Sequence, residues 1–276
     1  MSDFKHIIVD QPADHVSRIT LNRPESRNAL NNTLRTELYG TLQGNDRNPE
    51  IRVTIIRGAG KAFCAGYDLK ANNRDDQPFH TAGGDGNWPR HVVDGFFGVW
   101  DLAKPVIAQV HGYCLAGGTE LATSCDLVYV ARDAKIGYPV VRSMSPPDNQ
   151  FFPHLLGLRN AMEMMLTGDA ISGVEAAEQG FANRAFPEED LEQKVIEIAQ
   201  RVAKVPPDLQ QMNKRAVHRQ LELMGMRAAI RSGTEIQALA FHTKSTQAHF
   251  KELAAGLTDA LSSRDTKFGD YRTKKD

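Results

Sequence analysis

Strand and helix signals alternate through the first half of the chain, and that alternation restricts the fold more than anything else in the sequence. VSRITL (16–21) alternates apolar and polar residues and runs into the turn NRPES. Leu30, Leu34, Leu38 and Leu42 then recur every four residues, the spacing of an amphipathic helix, which the polar run GNDRNP ends. IRVTIIRG (51–58) is a β-branched strand stopped by Gly-Ala-Gly. PVIAQVHG (105–112), DLVYVA (126–131) and the shorter AKIGYP (134–139) follow as strands or strand ends. Repeated β-then-α order argues for parallel pairing with helical crossovers, an α/β class. Between Lys70 and Arg90 the chain is polar and rich in Gly and Pro signals, which predicts a long loop with a possible lid role. The second half differs. EEDLEQKVIEIAQRVAKV (188–205) and PDLQQMNKRAVHRQLELM carry helical spacing, and a long helical stretch is predicted from about Thr234 to Leu261. The C-terminal third is therefore expected to be almost all helix.

Composition narrows the function. Lys plus Arg number 33 against 34 Asp plus Glu, so no global field recruits a polyanion or an anionic membrane surface. Lys214, Arg215, His218 and Arg219 cluster on one predicted helix, where a solvated face accounts for them without nucleic acid. Cys64, Cys114 and Cys125 are odd in number, lie in apolar surroundings and show no CxxC or zinc spacing, which predicts three buried free thiols in a reducing cytoplasm and no metal. MSDFKHIIVDQ has no apolar signal core, and no apolar run nears the ~18 residues needed to span a bilayer, so a cytoplasmic location is expected. A GxSxG elbow, a complete dinucleotide fingerprint and a Walker A sequence are all absent.

Two segments carry chemistry. In KAFCAGYDL (61–69) an apolar stretch ends at Gly66, placing a tight turn beyond a buried strand end. HGYCLAGGTELATSCD (111–126) repeats the arrangement: strand, Gly117 and Gly118, then the first turn of a helix. Main-chain N–H groups at such turns lack partners and can serve a polarised ligand oxygen. Glu120 sits in that first helical turn, where a carboxylate gains from the helix dipole. It is also bound for an apolar interior, where a charge is costly unless paired, neutralised or used. The pattern therefore suggests an oxyanion hole for a thioester enolate with a proton-moving carboxylate beside it.

FCAGYDL together with HGYCLAGGTELATSCDLVYVARDAKIG resembles the enoyl-CoA hydratase/isomerase (crotonase) superfamily. ITLNRPESRNAL and LTGDAISGVEAAEQGFANRAFPEEDL are similar to further segments of that family, and the likeness covers roughly residues 5–270. The resemblance implies a spiral of ββα units over residues 1–195 and a helical C-terminal region over 196–276 that helps make trimers, often paired into hexamers. It implies an acyl-CoA substrate, with coenzyme A entering as part of that substrate and no separate cofactor. The oxyanion-hole N–H groups would fall on Tyr67 and Gly117, and the working carboxylate on Glu120. Coenzyme A would be held at the turn Arg27 to Ala29, with further contacts around Ala65, Asp68 and Leu69.

One position departs from the family pattern. Hydratases of the family place a second glutamate about twenty residues after the first, and here IGYPVVRSMSPPDN puts Val140 there. Valine cannot move a proton. Asp148, eight residues on, matches the place of an aspartate that acts in related dienoyl-CoA isomerases. As a residue after Pro146-Pro147 it is equally well read as a turn former. Tyr138, His80, His91 and Trp88 are weaker candidates. The expected reaction is therefore hydration, double-bond isomerisation, decarboxylation or C–C hydrolysis through a common enolate, with a non-catalytic acyl-CoA scaffold as the alternative.

Overall fold

A computed structural model describes residues 4–71, 75–148 and 150–271. The chain opens with β1 (Ile7–Ala13), β2 (Val16–Leu21), α1 (Asn32–Arg47), β3 (Val53–Gly58), β4 (Ala62–Cys64) and α2 (Asn87–Trp100). Next come β5 (Val106–Val110), β6 (Tyr113–Leu115), α3 (Gly117–Thr123), β7 (Leu127–Ala131), β8 (Lys135–Gly137) and α4 (Phe152–Thr167). β9 (Ile171–Ser172), α5 (Gly173–Gln179) and β10 (Arg184–Phe186) lead into α6 (Glu188–Ala203) and α7 (Pro207–Leu223). The chain then passes through α8 (Met226–Ala240), α9 (Lys244–Ala255) and α10 (Leu257–Thr266).

Two sheets are stacked by repetition of one unit. The larger has the order β1-β2-β3-β5-β7-β10, and the smaller β4-β6-β8-β9. Among the strand pairs of the described residues, β1–β2 and β8–β9 are antiparallel and the rest parallel. Each turn of the spiral lays one strand in the large sheet, one short strand in the small sheet, and then a helix: β3-β4-α2, β5-β6-α3, β7-β8-α4. The expected α/β spiral of ββα units is the observed architecture. The large sheet is buried on both faces, which is why β3 and β5 read as near-continuous apolar runs.

Local rules account for the elements that hold the site. Asn31 caps α1 by accepting from the Leu34 N–H (2.9 Å), and Leu34, Leu38 and Leu42 are buried against the sheet, each contributing roughly 1.5–3 kcal/mol. α6 lies across the large sheet on Leu191, Val195 and Ala199 and spans residue 195, where the sequence divides into its two expected regions. α8 packs on α2 through Val93, Phe97, Met226 and Ile230. All three cysteines are free and buried. No helix among the described residues is long and apolar enough to cross a membrane.

Two expectations need correction. The polar stretch expected as loop to Arg90 is already helical from Asn87. The first turn, GNWPR, hid that helix because its Gly and Pro read as loop signals, although Pro89 is already buried and Trp88 packs on the core. The predicted helix from Thr234 to Leu261 is three helices. Thr243 accepts from the Thr246 N–H and starts α9 afresh, and the chain breaks again at Gly256 before α10.

α3 begins in direct contact with β4: a Cβ on Gly118 would lie 2.2 Å from the Cys64 carbonyl oxygen. Gly118→Ala should therefore lower stability by on the order of 1–3 kcal/mol, read from urea unfolding. An unchanged midpoint would mean that α3 is free to move off β4.

Candidate active site

β4 and β6 run parallel as neighbours with Cys64 opposite Cys114, so the turns that follow them leave the same edge side by side. Gly66 has φ +102°, and a Cβ there would stand 2.8 Å from Ala116 Cβ and 3.2 Å from the Gly117 nitrogen. A Cβ on Gly117 would meet the Tyr67 ring at 2.8 Å. Side chains at these two positions would push the turns apart. Ala116 is held at φ 51°, ψ −123°, and its N–H donates to the Gly137 carbonyl (3.0 Å). A non-glycine residue at such φ costs on the order of 1–3 kcal/mol and persists where the surroundings fix it. Among the described residues, neither the Tyr67 nor the Gly117 N–H donates a hydrogen bond within the protein. Two such donors, side by side at strand ends, can share one oxygen and stabilise negative charge developing on it.

These turns open into a cavity of about 1750 Å³. Of the residues singled out from the sequence, Arg27, Ala29, Ala65, Tyr67, Asp68, Leu69, Gly117 and Asp148 all line it. Arg27 takes the left-handed conformation (φ 53°), stacks its guanidinium 5.0 Å from the Tyr113 ring and accepts the Ala65 N–H (3.0 Å). Asp68 pairs with Arg23 at 2.8 Å. The C-terminal helices close another wall through Phe250, Leu257, Leu261 and Arg264. Arg142, buried beneath that wall, pairs with Asp169 and Asp270 at 2.6 Å each, and Tyr271 Oη donates to the Gly168 carbonyl (2.6 Å). His80 and Trp88 also line the cavity. His91 does not: it is buried on α2, with Nδ1 2.8 Å from Thr81 Oγ1 and its ring stacked on Phe79. Burial and then the Arg35 charge pull His91 down to about 4, so it is neutral near pH 7.

Glu120 lies one layer behind the cavity surface, with no exposure to solvent. Tyr138, which does line the cavity, donates its hydroxyl to Glu120 Oε1 at 3.2 Å. Val140 lies on the cavity wall in the 3-10 turn Pro139–Arg142. Asp148 is buried, and its Oδ1 accepts no hydrogen bond among the described residues. Burial, reinforced by the Glu120 charge, holds the Asp148 carboxyl well above the usual carboxylate range, with Arg35 acting in the opposite direction. The Tyr67 and Tyr138 phenols are likewise pushed up, first by burial; the Glu120 charge acts the same way on both.

The sequence reading missed Arg35, a fully buried guanidinium on α1 flanked by the rings of Tyr39, Tyr67 and Trp88. The available signal was its position between Leu34 and Leu38, on the flank of the helix's apolar face. Three of the four basic residues of α7 make ion pairs or ring contacts. Lys214 and His218 turn onto Asp126 at 2.8 and 3.3 Å, His218 stacks on Trp100, and Arg219 pairs with Glu222. Among the described residues no cluster of three or more His, Cys, Asp or Glu side chains is placed to hold a metal ion.

A ββα spiral with a cleft at the strand ends of its second sheet defines the crotonase class of acyl-CoA enzymes. The profile of the enoyl-CoA hydratase/isomerase family matches residues 12–270, and the chain belongs to that family. It is 30% identical over 275 residues to the mitochondrial enoyl-CoA hydratase of Pongo abelii, covering 98% of this chain and 89% of that one. It is 32% identical over 229 residues to mevalonyl-coenzyme A hydratase sidH of Aspergillus fumigatus, covering 80% of this chain and 82% of that one. The crystal structure of an enoyl-CoA hydratase from Mycobacterium smegmatis superposes with a TM-score of 0.88 at 32% identity, covering 97% of this chain and 96% of that one.

The direction of the Asp148 shift has a consequence for stability. A carboxyl raised in the folded state contributes stability that is full below its unfolded value, about 4, and is lost as pH rises toward the folded value. Asp148→Asn should therefore gain on the parent protein as pH goes from 4 to 8. Thermal melts of the two proteins across that range check this, and parallel curves would remove the burial argument.

Proposed function

We propose that this enzyme stabilises the enolate of an acyl-CoA thioester between the Tyr67 and Gly117 N–H groups and moves a proton with Glu120. The observation that carries this reading is the pair of undonated N–H groups at adjoining turns, next to a buried carboxyl cluster. The thioester carbonyl oxygen accepts both N–H bonds, and these strengthen as charge builds on it during reaction. Glu120 stands behind the Tyr138 hydroxyl that lines the cavity, and takes or returns the proton of the acyl carbon or of an attacking water through that hydroxyl, which gives up one proton as it gains another. Asp148 is the second proton-handling group. Its raised carboxyl suits an acid at neutral pH, and it faces the cavity. Arg27, Ala29, Ala65, Asp68 and Leu69 form the coenzyme A side of the cleft, and no further cofactor enters the reaction.

Val140 bears on which reaction follows. With no carboxylate there, the two-glutamate route to water addition has one member missing. An acid at Asp148 and a base at Glu120 suit relocation of a proton within the acyl group, as in double-bond isomerisation. Decarboxylation and C–C hydrolysis would pass through the same enolate. A cytoplasmic location belongs to the same proposal, as does association into trimers or dimers of trimers. Exposed Leu158, Met162 and Leu166, spaced by four along α4, support self-association. Light scattering should then give a mass of three or six chains, and a monomer at micromolar concentration would count against it.

The catalytic assignment is tested by incubation with a panel of enoyl-, dienoyl- and oxoacyl-CoA thioesters, with products read by mass. Glu120→Gln should reduce turnover of the best substrate by about 10²–10⁴-fold, the usual scale for a lost acid/base. Unchanged turnover in a folded protein would remove Glu120 from the mechanism. Val140→Glu should raise hydration of crotonyl-CoA above the parent level. No gain, with binding demonstrated, would mean that the pocket differs in more than one carboxylate.

A further inference from the structure

α8 buries one face, at Met226, Ile230, Gly233, Thr234 and Gln237, the spacing of an amphipathic helix. The last of these positions holds an amide where the period calls for an apolar side chain. Gln237 is only 2% exposed, and it lines the cavity into which the Tyr67 and Gly117 turns open. Its Nε2 donates one long bond, 3.4 Å, to Ser145 Oγ, and its Oε1 accepts none among the described residues. Ser145 is 5% exposed and lines the same cavity. Apart from accepting that long bond, its hydroxyl donates to no described residue. A buried acceptor and a buried donor thus stand together on the cavity wall, each short of a partner. Buried polar groups are as a rule paired, so such a couple asks what completes it.

The backbone around them fixes their place. A Cβ on Gly233 of α8 would lie 3.0 Å from Gln150 Cγ, so α8 is pressed against the loop that carries Ser145. Thr246 Oγ1 of α9 donates to the Met144 carbonyl at 2.6 Å and holds that loop from the other side. A Cβ on Gly86, the residue before α2, would lie 3.5 Å from Ala238 Cβ, the neighbour of Gln237. The same start of α2 carries Trp88, whose ring meets the Tyr67 ring edge-on with centroids 4.9 Å apart. The Gln237 wall is therefore one aromatic ring removed from the turn that supplies the Tyr67 N–H. Asp148, three residues after Ser145 and also without a partner at Oδ1, lines the cavity beside it.

The chemistry of the couple selects its ligand. A hydroxyl donates to Gln237 Oε1 and accepts from Ser145 Oγ at once. A carbonyl offers no hydrogen to Gln237 Oε1. A carboxylate would place an anion against two neutral groups and near Asp148, where it would lack a counter-charge. A plain alkyl chain would displace water from both groups and leave them unpaired, and sites built to bind a hydroxyl reject analogues without one. We infer that Gln237 is a specificity-determining residue and that, with Ser145, it forms a subsite for a hydroxyl carried on the acyl chain of the thioester, beyond the carbons that react. This rests on the acyl-CoA reading of the cavity, and it assigns no proton transfer to either residue.

The experiment measures binding rather than turnover. Hexanoyl-CoA, its 4-, 5- and 6-hydroxy derivatives and the matching oxo derivatives are titrated calorimetrically into the protein. One hydroxy compound should bind about 10–100-fold more tightly than hexanoyl-CoA, the scale of a buried donor and acceptor left unpaired, and more tightly than its oxo counterpart. Gln237→Leu should remove most of that preference by weakening the hydroxy compound, and Ser145→Ala should narrow it. A purely structural role for Gln237 would weaken all the thioesters alike, and that result overturns the inference. So does a parent protein that binds hydroxy and plain chains equally, or that prefers an oxo compound. If Gln237→Leu shows no cooperative thermal melt, Gln237→Met and Ser145→Ala are read on the same ratio, and a ratio unchanged in both overturns the inference. Should none of the thioesters bind, the acyl-CoA reading itself fails and the subsite falls with it. Should they all bind alike, only the subsite is lost.

Discussion

The parallel pairing of β4 with β6 is the constraint on which the site depends. It puts two strand ends at one edge, so that the turns after Cys64 and Leu115 leave in the same direction. The turns can then touch only because Gly66, Gly117 and Gly118 carry no Cβ: each would collide with the facing turn, the Tyr67 ring or the Cys64 carbonyl. The strained Ala116 follows from the same contact. Its backbone is held by the bond from its N–H to Gly137 on the next strand of the small sheet. The start of α3, and with it Glu120, is thus set by three neighbouring strands. A site built this way needs no flexible loop to bring its donors together, and preorganised donors are the effective kind.

The interior behind those turns is unusual in its density of ionisable groups. Glu120, Asp148, Tyr67, Tyr138 and Arg35 are gathered at the cavity wall and just behind it, and burial leads among the forces on Asp148 and both phenols. In a low-dielectric region each group's protonation depends on its neighbours' charges more than on its own intrinsic affinity. Tyr138 fits this picture. Its hydroxyl is kept protonated by burial and by the Glu120 charge, so it remains a donor and fixes the orientation of the carboxylate it serves.

Much of this was legible in the sequence, and what was not has a physical reason. The alternation of strand and helix and the leucines at every fourth position gave the class of fold, because burial of one face imposes a period on the sequence. The paired glycine turns were visible for the same kind of reason: close backbone contact forbids side chains. The start of α2 and the breaks at Thr243 and Gly256 were not visible, since capping turns are polar and resemble loops. Arg35 escaped notice because its environment is assembled from distant segments around Tyr39, Tyr67 and Trp88. Its place on the flank of the apolar face is the one local sign, and many surface arginines on amphipathic helices share it. Whether Glu120 lines the cavity or lies behind Tyr138 is likewise a property of packing that spacing does not encode.

The replacement at Val140 is best understood together with Arg142 two residues later. The 3-10 turn that carries both is pinned by Arg142 to Asp169 and Asp270, and the C-terminal segment closes over it through Tyr271. That turn is therefore held in place, and Val140 presents an apolar wall at the position where the family resemblance puts a hydratase carboxylate. On the proposed reading, the acid has moved from that wall to Asp148, and the base Glu120 remains in place. Proton delivery and removal then occur along a different line across the acyl group, beside an apolar surface that disfavours a bound water. A site with a fixed oxyanion hole, one carboxylate and one neutral carboxyl is suited to carrying a proton from one acyl carbon to another. On the same reading, an enolate held between Tyr67 and Gly117 is the intermediate common to that transfer and to the alternative reactions proposed above.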